Sequence, residues 1–522
     1  MFACRRRGFL PRSLHHVRLA HIVRVSKEDV RWPGWEVVIG LEVHAQIKSR
    51  AKLFSVSRTS GLLEEPNKHV SPFDAAFPGT LPKLNPKCVD LTLRAATALN
   101  ADVQLRSSFD RKHYFYADLP MGYQITQHYA PIATGGYVRL HRGGVNVRVK
   151  QIQIEQDTGK STFDPRRRVS SIDLNRAGTG LMEIVSEPDM RSPEEAAEYI
   201  RLLQAILRSV GSSDGNMEQG SLRCDVNVSV NRPGDAPGTR CEIKNLNGIK
   251  SMQVAITASE VFRQISLVEN GELVRQETRG FDEAKAETFS LRSKEDAPDY
   301  RYMPDPNLPP LLLDETYINQ IRSKMPELPD TTSLRLHSQG LTQRDTEVLM
   351  TVDAGREVGF DGELGQGAVA YFDALSRGRD PKVVVNWITH ELLGQLAARN
   401  QSFNENSISV EQMGDLIDLV QNGIVTGTAG KTLLRHMLSN PSSVLSSVQA
   451  KDLGLLALQS SESSELENWC KESIAAMPSE SEAARKGNKN VVNKLVGRVM
   501  KLSRGRVDAG TVRQALEVLL KI

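Results

Sequence analysis

The chain has 522 residues, 39% hydrophobic and 25% charged, an ordinary globular composition long enough for about three to four domains. No run approaches the ~18 consecutive apolar residues of a membrane-spanning helix, so no membrane insertion is expected. A net charge of +3 excludes a global cationic field, so affinity for nucleic acid has to come from a local basic surface.

The first stretch stands apart. Arg5, Arg6, Arg7, Arg12, Arg18, Arg24 and Lys27 are spread among apolar residues and serines, and no acid precedes Glu28. An acid-free, arginine-rich amphipathic start predicts a mitochondrial transit peptide over residues 1–32; a basic RNA-binding arm is the other reading. Trp35–Ile47 (W-E-V-V-I-G-L-E-V-H-A-Q-I) then reads as a strand. Side chains two apart on a strand point the same way, so Glu42, His44 and Gln46 share one face and Leu41, Val43 and Ile47 the other. Alone, this pattern fits a half-exposed edge strand.

Pro86–Leu99 is a predicted helix with Asn85 as N-cap and Pro86 at the first helical position. Ser192-Pro-Glu-Glu195 reads as a capping box launching a helix that packs through Ile200, Leu203, Ile206, Leu207 and Val210 and stops at Gly211. Ile249–Glu269 is a third long helix. The strands between carry polar faces: Gln151, Gln153, Glu155 and Asp157; Glu183; Arg223, Asp225, Asn227 and Ser229; Arg240, Glu242 and Lys244. Each alone describes a solvated face. Five together predict a polar-lined concave sheet in an α+β domain, because strands and helices are not regularly interleaved.

Carboxylates brought together repel and raise each other's pKa unless a cation neutralises them. The five cysteines (Cys4, Cys88, Cys224, Cys241, Cys470) are odd in number and form no C-x-x-C pair, which argues against zinc and against a disulfide framework. Carboxylates and an imidazole without thiolate suit Mg²⁺ or Mn²⁺ better than zinc; Mg²⁺ keeps water and phosphate oxygens in its shell, which points to ATP. Gly427-Thr-Ala-Gly-Lys-Thr432 is not a phosphate loop: the first glycine of that motif belongs at 425, which is Val425, and the preceding segment is helical.

Five prolines between Pro298 and Pro310 end the first domain, and the rest is helical by periodicity. Arg485–Arg506 holds eight cations and no acid around an apolar stripe (Val491, Val492, Leu495, Val496, Val499, Met500). One face packs; the other offers Lys494, Arg498 and Lys501 to a polyanion.

Val38-Ile-Gly-Leu-Glu-Val-His44, Tyr123-Gln-Ile-Thr-Gln127, Glu155-Gln-Asp-Thr-Gly-Lys160, Ile184-Val-Ser-Glu-Pro-Asp189, Arg223-Cys-Asp-Val-Asn-Val-Ser229, Glu242-Ile-Lys-Asn-Leu-Asn247 and Asp299-Tyr-Arg-Tyr302 together resemble the B subunits of the aspartyl/glutamyl-tRNA amidotransferases. The resemblance implies a β-sheet and helix cradle (33–315), an all-α helical domain (316–405) and a helical tail that meets tRNA (406–522). It implies ATP-dependent amidation of Glu-tRNA(Gln) to Gln-tRNA(Gln) within a heterotrimer. The amidotransferase's A subunit, a separate glutaminase, would hydrolyse glutamine, and its small C subunit would brace the pair. The resemblance implies Mg²⁺ held by His44, Glu155 and Glu183, with Glu42 and Asp225 alongside; Lys244 is expected on phosphate. With the leader, the expected location is the mitochondrial matrix. The alternative is a tRNA-binding assembly protein without catalysis.

Overall fold

The computed structural model describes residues 29–522 except 62–63, 294–298, 459–462 and 487; the expected transit peptide lies outside the described residues as far as residue 28. The first half is built on one large sheet. Its main strands are β1 (Glu36–Gln46), β2 (Asn146–Gln156), β3 (Gly180–Ser186), β4 (Leu222–Asn231), β5 (Cys241–Leu246), β6 (Glu277–Asp282) and β7 (Glu287–Ser293). They lie in the order β7-β6-β5-β4-β1-β3-β2, extended by the short strands Ala133–Thr134 and Asp102–Val103. The labelled neighbours pair antiparallel except β5 and β6.

Strand β1 is central: β4 flanks it on one side and β3 on the other. Its burial alternates as its sequence does. Val37, Ile39, Leu41, Val43 and Ala45 are buried, while Glu42, His44 and Gln46 are half-buried on the opposite face. The apolar face joins one core with the helices Pro86–Ala98 and Pro193–Ser209 and the 249–269 segment.

Local signals behave as their chemistry dictates. The Asn85 carboxamide accepts from Lys87 N at 2.9 Å, and Ser192 Oγ accepts from Glu195 N at 3.2 Å. The carboxylate of Glu195 accepts from Arg191 N at 2.9 Å. The third helix is interrupted: an α-helix (Ile249–Val254) and another (Phe262–Glu269) flank a π-helical segment, Ala255–Val261.

A second, three-stranded sheet crosses the polar face near one end. It pairs Met303–Pro304 with Asp110–His113, and that strand with Tyr123–Thr126. Side-chain amides hold it to β2: Gln156 Oε1 accepts from Ile125 N at 3.0 Å, and Gln127 Oε1 accepts from Ile154 N at 3.1 Å.

Beyond residue 314 every described regular element is a helix. One apolar cluster runs from Leu336 to Leu455 and another from Cys470 to Leu520. A division at 405/406 falls inside the first of these, between Leu396 and Ile408. Gly427–Ser439 is a helix capped by Thr426, so Gly427-Thr-Ala-Gly-Lys-Thr432 forms its opening turns.

Candidate functional site: an acid and imidazole cluster on the sheet

The polar face of the central strands converges on His44. Register places His44 opposite Glu183 on β3 and Arg223 on β4, and Glu42 opposite Asp225. His44 Nε2 lies 3.8 Å from Glu42 Oε1 and 3.7 Å from Glu183 Oε2. Glu155 reaches the same point from β2. Two triads result, Glu42–His44–Asp225 and His44–Glu155–Glu183, each with donor atoms within 4.8 Å of one another.

The triads differ in how they are compensated. Lys244 on β5 bonds the Asp225 carboxylate directly and sits 3.2 Å from Glu242. Burial opposes the lysine's charge, but Asp225 and Glu242 outweigh it and push its pKa up. In the second triad, Gln124 Nε2 donates to Glu155 Oε1 at 3.1 Å and Gln153 Nε2 to Glu183 Oε2 at 2.6 Å. Glu155 Oε2 is buried without a hydrogen-bond partner. Burial, then the charges of Glu155 and Glu42, hold Glu183 well above the ordinary carboxylate range. Burial and Asp225 raise Glu42.

His44 moves the other way. Burial and the charges of Arg223, Lys112 and Lys244 push it well below its ordinary value, so its imidazole is neutral at pH 7 and free to act as a ligand. A neutral imidazole, two hard carboxylates, an orphaned buried oxygen and no thiolate make His44–Glu155–Glu183 a fit for a magnesium-like cation.

Nothing in the sequence singles out Lys112. It rises from the strand Asp110–His113 and places Nζ 3.5 Å from Glu155 Oε1 and 5.3 Å from the centroid of Tyr300. Burial again opposes its charge, and Glu155 and Glu183 override it. Beside it, Asp157 is clamped by Arg223 at 2.8 Å and Arg176 at 3.6 Å. Burial would raise this acid; Arg223 and Arg176 hold it low. His44, Lys112, Glu155, Asp157, Arg223, Asp225 and Lys244 line a cavity of about 310 Å³.

Residues 37–319 match the GatB/GatE catalytic domain and residues 370–520 the GatB domain. The chain belongs to the GatB family of amidotransferase B subunits. It is 58% identical to the B subunit of a mitochondrial glutamyl-tRNA(Gln) amidotransferase of Laccaria bicolor, over 96% of this chain and 95% of that one. It is 43% identical to the mitochondrial protein of the same name from Mycosarcoma maydis, covering 92% and 86%. The B subunit of an aspartyl/glutamyl-tRNA(Asn/Gln) amidotransferase of Caulobacter vibrioides is 43% identical, covering 94% and 98%.

In this GatB chain, the five predicted residues Glu42, His44, Glu155, Glu183 and Asp225 meet in one place, and Lys244 borders it. Lys494, Arg498 and Lys501 are elsewhere, exposed on the helix Lys489–Leu502, whose Val492, Leu495 and Val499 pack into the third core. Acids lie near that strip: Glu480 is 3.9 Å from Lys494, and Glu482 is 3.6 Å from Lys486.

Proposed function

We propose that this chain carries the ATP-dependent amidation of Glu-tRNA(Gln) to Gln-tRNA(Gln) in the mitochondrial matrix, as part of a carbon–nitrogen ligase with glutamine as the nitrogen donor. The observation that carries the reading is the His44–Glu155–Glu183 cluster, flanked by Lys112 and Lys244, in a chain so similar to mitochondrial relatives of that name.

A γ-carboxylate resists ammonia because it is anionic and has no good leaving group. Attack of a carboxylate oxygen on the γ-phosphorus of ATP releases ADP and leaves an acyl phosphate; ammonia then displaces phosphate. His44, Glu155 and Glu183 would hold Mg²⁺, which when bound supplies positive charge to phosphoryl oxygens. Lys112 and Lys244 stand on either side of that position and neutralise phosphate. Asp225 and Glu242 keep Lys244 protonated and aimed. Glu42, 3.8 Å from His44 Nε2, would add negative charge beside the cation that His44, Glu155 and Glu183 hold. A separate glutaminase partner supplies the ammonia by hydrolysing glutamine, and a small third partner braces the pair. The exposed strip of Lys494, Arg498 and Lys501 contacts tRNA phosphates. We place the division of the helical half between Leu455 and Cys470, where one apolar core ends and the next begins.

Reconstitution of the full chain with its glutaminase and bracing partners tests this reading. Glu-tRNA(Gln), glutamine and ATP are expected to give Gln-tRNA(Gln). Glu155→Ala should lower that rate by about 10²-fold or more, as loss of a charge-stabilising group does, while hydrolysis of glutamine by the glutaminase continues. Wild-type amidation by Glu155→Ala would overturn the site. Intact tRNA binding without amidation by the unaltered complex would make the chain an assembly protein.

A further inference from the structure

Between the strands that carry Glu155 and Glu183 the chain leaves the main sheet. Lys160–Asp164 and Val169–Asp173 form an antiparallel ribbon, in register from Lys160↔Asp173 to Asp164↔Val169. Among the described residues it pairs with no other strand. From residue 160 to residue 171 only Asp164 is partly covered. A two-stranded ribbon open on both faces is marginal in water, and this one also exposes Phe163 (62%) and Val169 (52%).

Its foot, by contrast, is fixed to the acid cavity. Arg176 donates to Thr158 O at 2.9 Å and to Gly159 O at 2.6 Å, and Gly159 N donates to Asp118 O at 2.8 Å. The Asp173 carboxylate accepts from Asn67 N and Asn175 N, both at 3.0 Å. Asp157 and Thr158, just before the ribbon, line the cavity. Five residues per strand at about 3.3 Å each carry the tip about 17 Å beyond that rim.

The tip is Pro165-Arg166-Arg167-Arg168. The Asp164 carboxylate folds it, accepting from Arg166 N at 2.9 Å and Arg167 N at 3.2 Å, and lies 3.8 Å from the Arg167 guanidinium. Among the described residues no carboxylate pairs with Arg166 or Arg168 in a salt bridge. Lys160 and the three arginines against Asp164 and Asp173 give the ribbon, residues 160–173, a net charge of +2 (four minus two).

We infer that this arginine-tipped ribbon grips the phosphate backbone of the RNA whose aminoacylated 3′ end enters the acid cavity. The inference rests on the tRNA-amidation reading. An RNA with its 3′ end at His44 and Glu155 must pass its adjoining backbone over the rim from which the ribbon stands. Guanidinium forks match phosphate oxygens two at a time. Phe163 and Val169 apart, the ribbon's exposed flanks are Ser161, Thr162, Ser170 and Ser171, a polar surface that suits a hydrated interface.

The test uses the full chain reconstituted with its glutaminase and bracing partners. Equilibrium binding of Glu-tRNA(Gln) is followed from 50 to 200 mM salt for the unaltered complex, for Arg166→Ala/Arg167→Ala/Arg168→Ala, and for the corresponding triple lysine variant. The alanine variant should raise Kd about 10-fold and flatten the slope of log K against log salt by about 2 to 3, near 0.9 for each phosphate lost. The lysine variant should recover most of the slope. An unchanged slope in a complex that still amidates removes the ribbon from the RNA and leaves the proposed reaction standing. Failure of the unaltered complex to amidate sinks that reaction instead, while the binding slopes still judge the ribbon. If the alanine variant no longer co-purifies with the glutaminase, the ribbon is a protein contact and the inference is wrong.

Discussion

Lys112 shows how one side chain sets the balance of the site. It is the cation nearest Glu155, and it is reached from a different sheet than the acids it faces. Replacing it with methionine keeps much of the volume and removes the charge. Two effects then oppose each other. The carboxylates around His44 lose their neutralising neighbour, so a divalent cation is attracted more strongly. Phosphate, on the other hand, loses a donor, and removal of one such charge-stabilising group costs about 10²- to 10³-fold in turnover. Lys112→Met is therefore expected to lower kcat while lowering the Mg²⁺ concentration needed for half-maximal rate. A fall in kcat with a higher Mg²⁺ requirement would show that Lys112 only braces the fold. Its role is hidden in the sequence because Asp110-Arg-Lys-His113 carries no pattern that aims it at Glu155. The side-chain amides of Gln124, Gln127, Gln153 and Gln156, which seat the small sheet on β2, bring it there. The acids are legible because alternation along a strand fixes which residues share a face, and register then sets Glu183 and Asp225 opposite His44 and Glu42. Alternation cannot tell that β1 is central; hydrogen bonding on both its sides decides that.

At the scale of elements, the interrupted helix over 249–269 carries a buried charge network. Glu260, in its π-helical segment, is fully buried and meets Arg263 at 2.7 Å, Arg279 of β6 at 3.2 Å and Gln264 at 2.7 Å. Burial favours its neutral form, but the hydrogen bond and charge of Arg263, then Gln264 and Arg279, lower its pKa below the ordinary value. The unfolded chain therefore takes up this proton at a higher pH than the folded one. The stabilisation is complete above the unfolded value of about 4.3 and is lost as pH falls through the lowered folded value. Glu260→Gln removes one of two carboxylates from this network, and Glu277 still meets both Arg263 and Arg279, so the loss falls below the about 3 to 5 kcal/mol of a buried pair broken outright. Thermal melts should show the variant below wild type at pH 7, with the gap narrowing as pH falls below about 4.3. A gap that does not vary with pH would mean packing, not charge, is what the variant loses. The strand that holds Lys244 is next to β6, and Thr278 Oγ1 donates to Glu242 Oε2 at 3.0 Å, so this network also steadies the edge of the site. The helix itself is legible from its apolar period. Its π-helical segment is not, because one extra residue per turn barely disturbs that period.

Across the whole molecule, a net charge of +3 leaves the proposed hold on tRNA to local basic patches, each with its own set of phosphates. The proposed tail patch is one. Lys494, Arg498 and Lys501 are exposed at helical spacing while Val492, Leu495 and Val499 anchor their helix in the third core. That amphipathic split is readable from the period of the apolar residues. The extent of the helical core is not: no break in composition marks where the cluster ending at Leu455 stops, and it runs unbroken across residue 405. Changing the three basic residues to alanine touches no buried contact, so the melting temperature should hold. The Kd for Glu-tRNA(Gln) should rise, and the salt slope should flatten by about 2 to 3. Lys494 is the weakest of the three, because Glu480 already draws on its charge at 3.9 Å. Combined with the three alanines at Arg166–Arg168, the losses in binding free energy should add to within about 0.5 kcal/mol, as they do for sites that share no partner. Binding titrations of the two triple variants and the sextuple variant decide this. A sextuple variant no weaker than either triple would mean that both patches compete for one stretch of backbone, and the separate-patch account would fall.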